Sequence, residues 1–286
     1  METDTDKPLE STLLKGKRGL IMGVANKNSI AWGIAQACAA AGAELAFTYQ
    51  GETLERRVRP LAESVGSSII ISCDVTQEAD LQSLFATLKQ NWGQIDFVVH
   101  AIAFAGKEEL AGRYMDISSQ AFDMALNISC YSFTAVARHA APLMRAGGSL
   151  LTLTYYGAEK VIPHYNVMGV AKAALEASVR YLAVDFGPQG IRVNALSAGP
   201  IRTLAAAGIG DFRAMLKWNE ANAPLRRNVT QTQIGQSAVY LLCDMAMGVT
   251  GEIHYVDCGY NIIGLGAFDD IKAAQTGKEN KNENES

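Results

Sequence analysis

The sequence predicts a single-domain α/β protein built on a doubly wound parallel sheet. Short apolar, β-branched or aromatic runs alternate with longer amphipathic stretches along most of the chain, which is the pattern of repeated βα units. The first run ends in a glycine and leads to a helix start, the place where dinucleotide-binding folds hold pyrophosphate. The chain has 286 residues and 49% hydrophobic content, so it can bury a substantial core, and no linker divides it.

Seven apolar runs predict the strands, at residues 19–22, 44–48, 68–73, 97–100, 149–154, 192–196 and 254–257. Amphipathic stretches predict helices near residues 29–41, 52–65, 79–92, 118–144, 165–186, 211–219 and 232–242. Each crossover should be right-handed, which gives a Rossmann-type sheet with its ligands at the carboxyl ends of the strands.

The two termini fall outside the predicted folded domain, residues 14–268. Residues 1–13 are predicted to be a flexible segment, and residues 269–286 a disordered tail, because the last part of the chain lacks apolar anchors. The start is polar and acidic, and no run is apolar enough to cross a bilayer. The five cysteines are scattered without Cys-x-x-Cys spacing, which favours reduced thiols in the cytoplasm and no metal site. A net charge of −4 gives no reason to expect nucleic acid binding.

The turn after the first strand is the candidate pyrophosphate loop. Gly23 permits a tight turn, Ser29 can cap the next helix, and that helix start, at Ile30, attracts phosphate. The loop is not a proper Gly-x-Gly-x-x-Gly, so an ordinary βα turn is an equal alternative.

The residues at the end of the second strand indicate which coenzyme, NADH or NADPH, the protein prefers. The strand leads into Tyr49-Gln50-Gly51, with no arginine or lysine to pair with a 2′-phosphate and no carboxylate for the ribose diol. NADH is therefore favoured over NADPH. Arg56 and Arg57 follow in the next helix, where solvated charges are the simpler interpretation.

Two tyrosine–lysine pairs compete as the catalytic pair. Tyr156 and Lys160 have the Tyr-x3-Lys spacing of short-chain dehydrogenases, which needs a helix to bring both side chains to one face. Pro163 would break such a helix, so this pair is assigned to a loop. Tyr165 and Lys172 are seven residues apart in good helix-forming sequence, close to two turns, and are the preferred pair.

The Tyr165-x6-Lys172 spacing, with Tyr155 ten residues before Tyr165, resembles the enoyl-acyl-carrier-protein reductases of bacterial type II fatty acid synthesis. These enzymes are a divergent branch of the short-chain dehydrogenases. The resemblance covers about residues 14–268 and includes the stretches 43–50, 165–169 and 197–203.

The resemblance implies roles for individual residues. Tyr165 would donate its hydroxyl to the developing enolate, and Lys172 would hold the nicotinamide ribose. Tyr155 would line the substrate pocket together with Ala105 and assist orientation or proton supply; from the residues alone, a buried structural tyrosine is an equal alternative. The implied cofactor-binding residues are Gly23, Ser29, Ile30, Gln50, Asp74, Val75, Ile102, Lys172, Ile201 and Thr203. From sequence alone, Asp74 could equally cap the next helix. His100 and Asn127 are interpreted as structural.

The substrate implied by the resemblance is an enoyl thioester on acyl carrier protein, reduced by NADH, in an expected homotetramer. Residues 204–210 are small and apolar and suit a mobile lid, although a hinge loop would look similar. The carrier is acidic, and Arg213, Lys217 and Arg226-Arg227 could meet it. Family members often carry a denser basic patch where Gly210 and Ala214 stand here. The helices at 118–144 and 165–186 are the expected subunit interface.

The residues alone leave two other functions as alternatives. One is a 3-ketoacyl or other carbonyl reductase, which the position of Pro163 and the presence of Met168 four residues before Lys172 disfavour. The other is a catalytically silent NAD(P)-binding sensor, which the retention of Tyr165 and Lys172 disfavours.

Overall fold

The computed structural model describes residues 7–144, 147–204, 206 and 210–266. Seven strands form one parallel sheet in the order β3-β2-β1-β4-β5-β6-β7. They are β1 Arg18–Met22, β2 Glu44–Tyr49, β3 Ile69–Ser72, β4 Phe97–His100, β5 Gly148–Thr154, β6 Ile191–Ala198 and β7 Ile253–Val256. All seven predicted strands are confirmed, with ends that agree to within two residues.

The helices pack on both faces of the sheet. They are α1 Ile30–Ala40, α2 Gly51–Ser64, α3 Glu78–Trp92, α4 Lys107–Ala111, α5 Ser119–Leu126, α6 Ser132–Ala140, α7 Asn166–Phe186, α8 Phe212–Asn222 and α9 Gln231–Leu242. The short α4 was not predicted, because its five residues are too few to show a period.

The predicted helix over residues 118–144 is confirmed as a helical segment from Ser119 to Leu143, but it is not α-helical throughout. A π-helical turn, Asn127–Tyr131, separates α5 from α6. The Ser132 hydroxyl donates to the Ile128 carbonyl at 2.6 Å, a competing backbone bond of the kind that bends helices. Such turns insert a residue into a helix and are frequent at functional sites.

Each face of the sheet has its own hydrophobic core. One core, with Phe47 and Phe97 fully buried, lies under α1, α2 and α9. The other, with Phe133 and Leu88 fully buried, lies under α3, α6 and α7. The chain order reverses between β1 and β4, which are neighbours in the sheet, so a crevice is expected at their carboxyl ends.

Two glycines bring α1 and α9 into unusually close contact. A Cβ on Gly235 would lie 2.5 Å from the Gly33 carbonyl oxygen, and one on Gly33 would lie 2.4 Å from Cγ of Gln231. The Gln231 side-chain amide donates to the Lys27 carbonyl at 3.1 Å and also to the Ser29 carbonyl. The loop before α1 is therefore fastened to α9.

Within the described part of the chain, no helix is both long and apolar enough to cross a membrane. The predicted domain limits, 14 and 268, remain predictions. The whole predicted tail, residues 269–286, lies outside the described residues, as do residues 267–268 of the predicted domain and residues 1–6 of the predicted flexible segment.

Candidate active site

The predicted site residues lie on the segments that follow successive strands at the carboxyl edge of the sheet. In chain order they are Gly23 after β1, Gln50 after β2, Asp74 and Val75 after β3, Ile102 and Ala105 after β4, Tyr155 after β5, and Ile201 and Thr203 after β6. Since parallel strands end at one common edge, the fold gathers these residues around the reversal between β1 and β4.

Gly23 is required by the contact between the first and fourth loops. Its φ is +97°, and a Cβ there would lie 2.1 Å from the Ala101 carbonyl oxygen. The Ala101 N–H also donates to the Met22 carbonyl at 3.1 Å. Any other residue at position 23 would push the two loops apart.

Ser29 holds the candidate pyrophosphate loop together instead of capping α1. Its hydroxyl accepts from the N–H groups of Ala25 and Asn26 at 3.0 and 3.1 Å. The prediction of a side-chain cap was therefore wrong, because the loop folds back over the hydroxyl. Among the described residues no side chain caps α1. The Trp32 N–H donates to the Ser29 carbonyl at 2.9 Å, so the first two amides of the helix, those of Ile30 and Ala31, are left for an anionic group.

Asp74 belongs to a polar pair at the ends of β2 and β3. Its carboxylate accepts from the Gln50 side chain at 2.8 Å and from the Thr76 N–H at 2.9 Å. Burial raises the pKa of Asp74, but the hydrogen bonds from Thr76 and Gln50 outweigh it and hold the pKa below its usual value. The alternative in which Asp74 caps α3 is not observed, since Gln77 occupies that position.

Apolar side chains border the same crevice from both faces of the sheet. Val75 and Ile102 are half-buried against the core under α3, α6 and α7. Ile30 and Ile201 are half-buried against the opposite core.

Thr203 stands at the start of the predicted lid. Its hydroxyl accepts from the Ala206 N–H at 3.0 Å, so it can still donate to another group. Leu204 is exposed, whereas Ala206 is buried. Residues 205 and 207–209 of the lid lie outside the described residues, and the lid stays a prediction.

Tyr155 and Tyr165 meet edge to face, with ring centroids 5.1 Å apart at 77°. Helix α7 begins at Asn166, one residue later than predicted, yet the Tyr165 ring still packs against Met168 and Ala171 of that helix. Burial is the main cause that raises the pKa of Tyr165, and it raises the pKa of Tyr155 to about 12. Both hydroxyls are therefore protonated donors at neutral pH.

Lys172 lies on the buried face of α7, with a side chain that reaches back to the end of β5. The residue is 6% exposed, and its Nζ donates to the Leu153 carbonyl at 2.8 Å. Burial lowers the pKa of Lys172 to about 8, while Cys130 and Glu176 act in the opposite direction. Glu176, one turn later, is also buried and accepts from the Thr154 hydroxyl at 2.6 Å.

The rejected pair, Tyr156 and Lys160, is kept apart from this site. Tyr156 opens a 3₁₀ turn, Tyr156–Ala158, and its ring packs against Tyr255 and Tyr260 with centroids 6.4 and 6.2 Å away. Lys160 is exposed. The prediction that this pair lies in the loop before Pro163 is confirmed.

His100 is a structural histidine, as predicted. It is fully buried, and its ring nitrogens lie 3.2 Å from the Thr152 hydroxyl and 2.8 Å from the Ser132 hydroxyl. Burial, assisted by the charge of Lys172, lowers the pKa of His100 to about 3. The ring is therefore neutral and supports the π-helical turn. Asn127 is exposed at the first position of that turn.

Ser129 and Gly157 are among the residues that shape the site and that sequence reasoning missed. Ser129, in the π-helical turn, accepts from the Phe104 N–H at 3.0 Å and donates to the Phe104 carbonyl at 3.2 Å, which fixes the loop after β4. Gly157 lies against the Tyr165 ring, where a Cβ would be 2.5 Å from Cδ1. Neither carries a local signal, because each acts on a residue from another segment.

Over the residues that the structure describes, no group of three or more His, Cys, Asp or Glu side chains could hold a metal ion.

Comparisons with known proteins find similar sequences over most of the chain. A family model described as enoyl-(acyl carrier protein) reductase matches residues 23–261. The chain is 64% identical over 259 residues to enoyl-(acyl-carrier-protein) reductase (NADH) 1 of Rhizobium meliloti (strain 1021), covering 91% of this chain and 95% of that protein.

Solved structures are similar over nearly the whole fold. The enoyl-(acyl-carrier-protein) reductase of Anaplasma phagocytophilum in complex with NAD is 57% identical, with a TM-score of 0.88, and the match covers 91% of this chain and 100% of that one. The Bacillus cereus enoyl-acyl carrier protein reductase with NADP+ and indole naphthyridinone is 56% identical, with a TM-score of 0.87 and coverage of 88% and 99%.

Proposed function

This chain belongs to the enoyl-(acyl carrier protein) reductase family, and from that premise we propose that it reduces trans-2-enoyl groups on acyl carrier protein with NADH during fatty acid elongation. One observation supports this most strongly. Tyr165 is buried against Tyr155 at the start of the helix that carries the buried Lys172, whereas Tyr156 and Lys160 lie elsewhere.

The residues at the sheet edge fit a dinucleotide. The uncapped amides of α1, next to the side-chain-free Gly23, suit a pyrophosphate. The ionised Asp74 suits the exocyclic amine of adenine, and Val75 and Ile102 would pack against the cofactor. Ile201 and Thr203 would meet the nicotinamide end, with Lys172 at its ribose hydroxyls.

The coenzyme preference follows from the end of β2. Gln50 occupies the position where a 2′-phosphate would need a cation, and its side chain donates to Asp74. A second phosphate would approach that carboxylate. Arg56 pairs with Glu52 at 3.6 Å on the exposed face of α2.

The chemistry requires stabilisation of negative charge on the thioester oxygen. Bound NADH would supply the hydride that adds to the β-carbon of the enoyl group, and a proton added at the α-carbon would complete the saturated product. Tyr165 would donate its hydroxyl to the thioester oxygen as charge develops there, and Lys172 would add positive charge nearby. Both groups lie in a water-poor site, where placed donors act most strongly. Tyr155 would orient the thioester by the same kind of contact.

The test is NADH oxidation with a crotonyl thioester, run beside the matching 3-ketoacyl thioester. We expect turnover of the crotonyl substrate and little of the ketone. Faster reduction of the ketone would make the protein a carbonyl reductase, and firm NADH binding without turnover would make it a sensor. The same assay with NADPH should give a lower kcat/KM than with NADH.

Docking of the acidic carrier would use the cations beside the lid. A cleft of about 450 Å³ is bordered by Arg202, Arg213 and Lys217, together with Glu220. Charge complementarity of this kind mainly speeds encounter. The variant Arg213→Glu/Lys217→Glu should raise KM for a carrier-linked substrate and leave a crotonyl thioester of a small uncharged thiol unaffected. Lys89→Glu, on the exposed end of α3, is the control.

The homotetramer is part of the same proposal. Apolar side chains stand exposed on the helices expected at the interface: Met124, Tyr131, Tyr181 and Val184 are 51%, 51%, 74% and 75% exposed, as a self-association surface requires. Sedimentation should give four subunits for the wild type and fewer for Tyr181→Asp/Val184→Asp.

A cytoplasmic location is likewise proposed, supported by five cysteines that are all described and all buried free thiols.

A further inference from the structure

Asn166, the residue after Tyr165, makes contacts that the proposed chemistry does not use. It is the first residue of α7, and its φ is +34°, a left-handed value that asparagine tolerates better than most residues. Its Nδ2 lies 3.2, 3.1 and 2.6 Å from the carbonyl oxygens of Glu109, Leu110 and Gly112.

The three carbonyls belong to the carboxyl end of α4. The last carbonyls of a helix have no partner within the helix and need an outside donor. A side-chain amide offers two N–H bonds, so Asn166 shares them among three acceptors. An aspartate of nearly the same shape has no N–H to offer and would place its charge against the same oxygens.

Helix α4 forms one wall around the Tyr165 phenol. Leu110 of α4 is buried in one cluster with Tyr165, Met168 and Ala171, and Ala105, just before α4, packs against that cluster. The outer residues of α4, Lys107 and Glu108, are exposed. The contacts of Leu110 and the amide of Asn166 thus hold α4 against the start of α7.

Building on the proposed function, we propose that Asn166 is a positioning residue. Its amide fixes α4 and the Ala105 wall relative to the Tyr165 hydroxyl, and its left-handed backbone sets the direction in which Tyr165 enters the site. The thioester would then lie between the Ala105 wall and the Tyr165 hydroxyl, and the Asn166 side chain would set the distance between the two.

The experiment compares Asn166→Asp, which keeps the shape but loses the donors, with Asn166→Gly, which accepts the positive φ without a side chain. Both should lower kcat for the crotonyl thioester per folded enzyme by ~10- to 10²-fold, since a misplacement of about 1 Å can cost that much. The Kd for NADH should change by less than about twofold. Amide hydrogen exchange at residues 107–112 should accelerate in both variants.

Asn91→Asp is the matched control. Asn91 donates to the Thr87 carbonyl at 2.9 Å on the exposed face of α3, so it loses the same kind of bond far from the site. Its kcat and its exchange at residues 107–112 should equal those of the wild type.

Two results would overturn the proposal. One is wild-type kcat and wild-type exchange at residues 107–112 in both Asn166 variants. The other is a lower melting temperature with unchanged kcat per folded enzyme, which would make Asn166 merely structural. A wild-type protein that leaves the thioester unreduced would refute the proposed function instead, and exchange at residues 107–112 would still decide whether Asn166 holds α4.

Discussion

The substitution Gly157→Ala tests the placement of Tyr165 without removing any functional group. An added Cβ would lie 2.5 Å from Cδ1 and 2.8 Å from Cε1 of Tyr165, and 3.3 Å from Cδ1 of Tyr155. Ordinary van der Waals contact begins at 3.4 Å, so the ring or the loop must shift by about 0.9 Å.

Neither the Tyr165 ring nor the loop that carries Gly157 has room to shift freely. The Tyr165 ring is held by Leu110, Met168 and Ala171. A Cβ on Gly169 would already lie 2.8 Å from the Gly157 carbonyl oxygen, so the Gly157 backbone is pressed against α7. We therefore expect the phenol to be displaced by most of that distance.

A displacement near 1 Å predicts a loss of ~10²-fold in kcat/KM for the crotonyl thioester. The overpacking itself should cost about 1–3 kcal/mol of unfolding free energy, measurable by urea denaturation. The Kd for NADH, measured by fluorescence titration, should stay within about twofold of the wild type.

The control is Gly248→Ala, where no described atom lies within 4 Å of the added Cβ. That variant should match the wild type in rate. If Gly157→Ala is destabilised as expected but keeps wild-type kcat/KM under conditions in which it is fully folded, the position of the Tyr165 hydroxyl does not control the reaction.

Three further predictions concern the tyrosine pair, the lysine and the buried histidine. Tyr165→Phe should lower turnover by ~10²–10⁴-fold with NADH binding retained, whereas Tyr156→Phe should keep most activity; the reverse order would point to a carbonyl reductase. The kcat/KM should fall as pH rises through about 8, where Lys172 loses its charge. Glu176→Gln should move this fall in kcat/KM to lower pH, because it removes a carboxylate that favours the Lys172 ammonium. A fall at the same pH in both proteins would contradict the assignment of this titration to Lys172. His100 has a pKa of about 3 in the folded protein and an ordinary value of 6.5, so between these pH values the unfolded chain binds one more proton than the folded one. The free energy of unfolding should therefore fall by up to about 1.4 kcal/mol for each unit by which the pH decreases. In denaturation experiments, the unfolding free energy of His100→Gln should depend less steeply on pH.

Much of the fold could be predicted because its signals are local. Each strand is a short apolar run bounded by polar residues, so all seven were found. The rejection of Tyr156 and Lys160 also rested on a local rule, the effect of Pro163 on the residues before it. Lys172 was found on α7 because its neighbours in the chain favour a helix.

The parts that failed depend on contacts between distant segments. Ser29 looks like a cap in the sequence, and only the path of the loop turns its hydroxyl toward Ala25 and Asn26. The partners of Asn166 lie 54 to 57 residues away in the chain. Glu176 looks like an ordinary solvated helix residue until the end of β5 covers it. No periodic pattern in the sequence predicts hydrogen bonds between such distant residues.

The close contact between α1 and α9 has a consequence for protein synthesis. The loop after β1 leaves the ribosome before α9, yet Gln231 of α9, more than 200 residues later in the chain, supplies bonds that fasten it. Domains fold largely as units during synthesis, and contacts between distant segments form late. A nascent chain that has not yet exposed α9 therefore lacks the bonds by which Gln231 fastens the loop after β1.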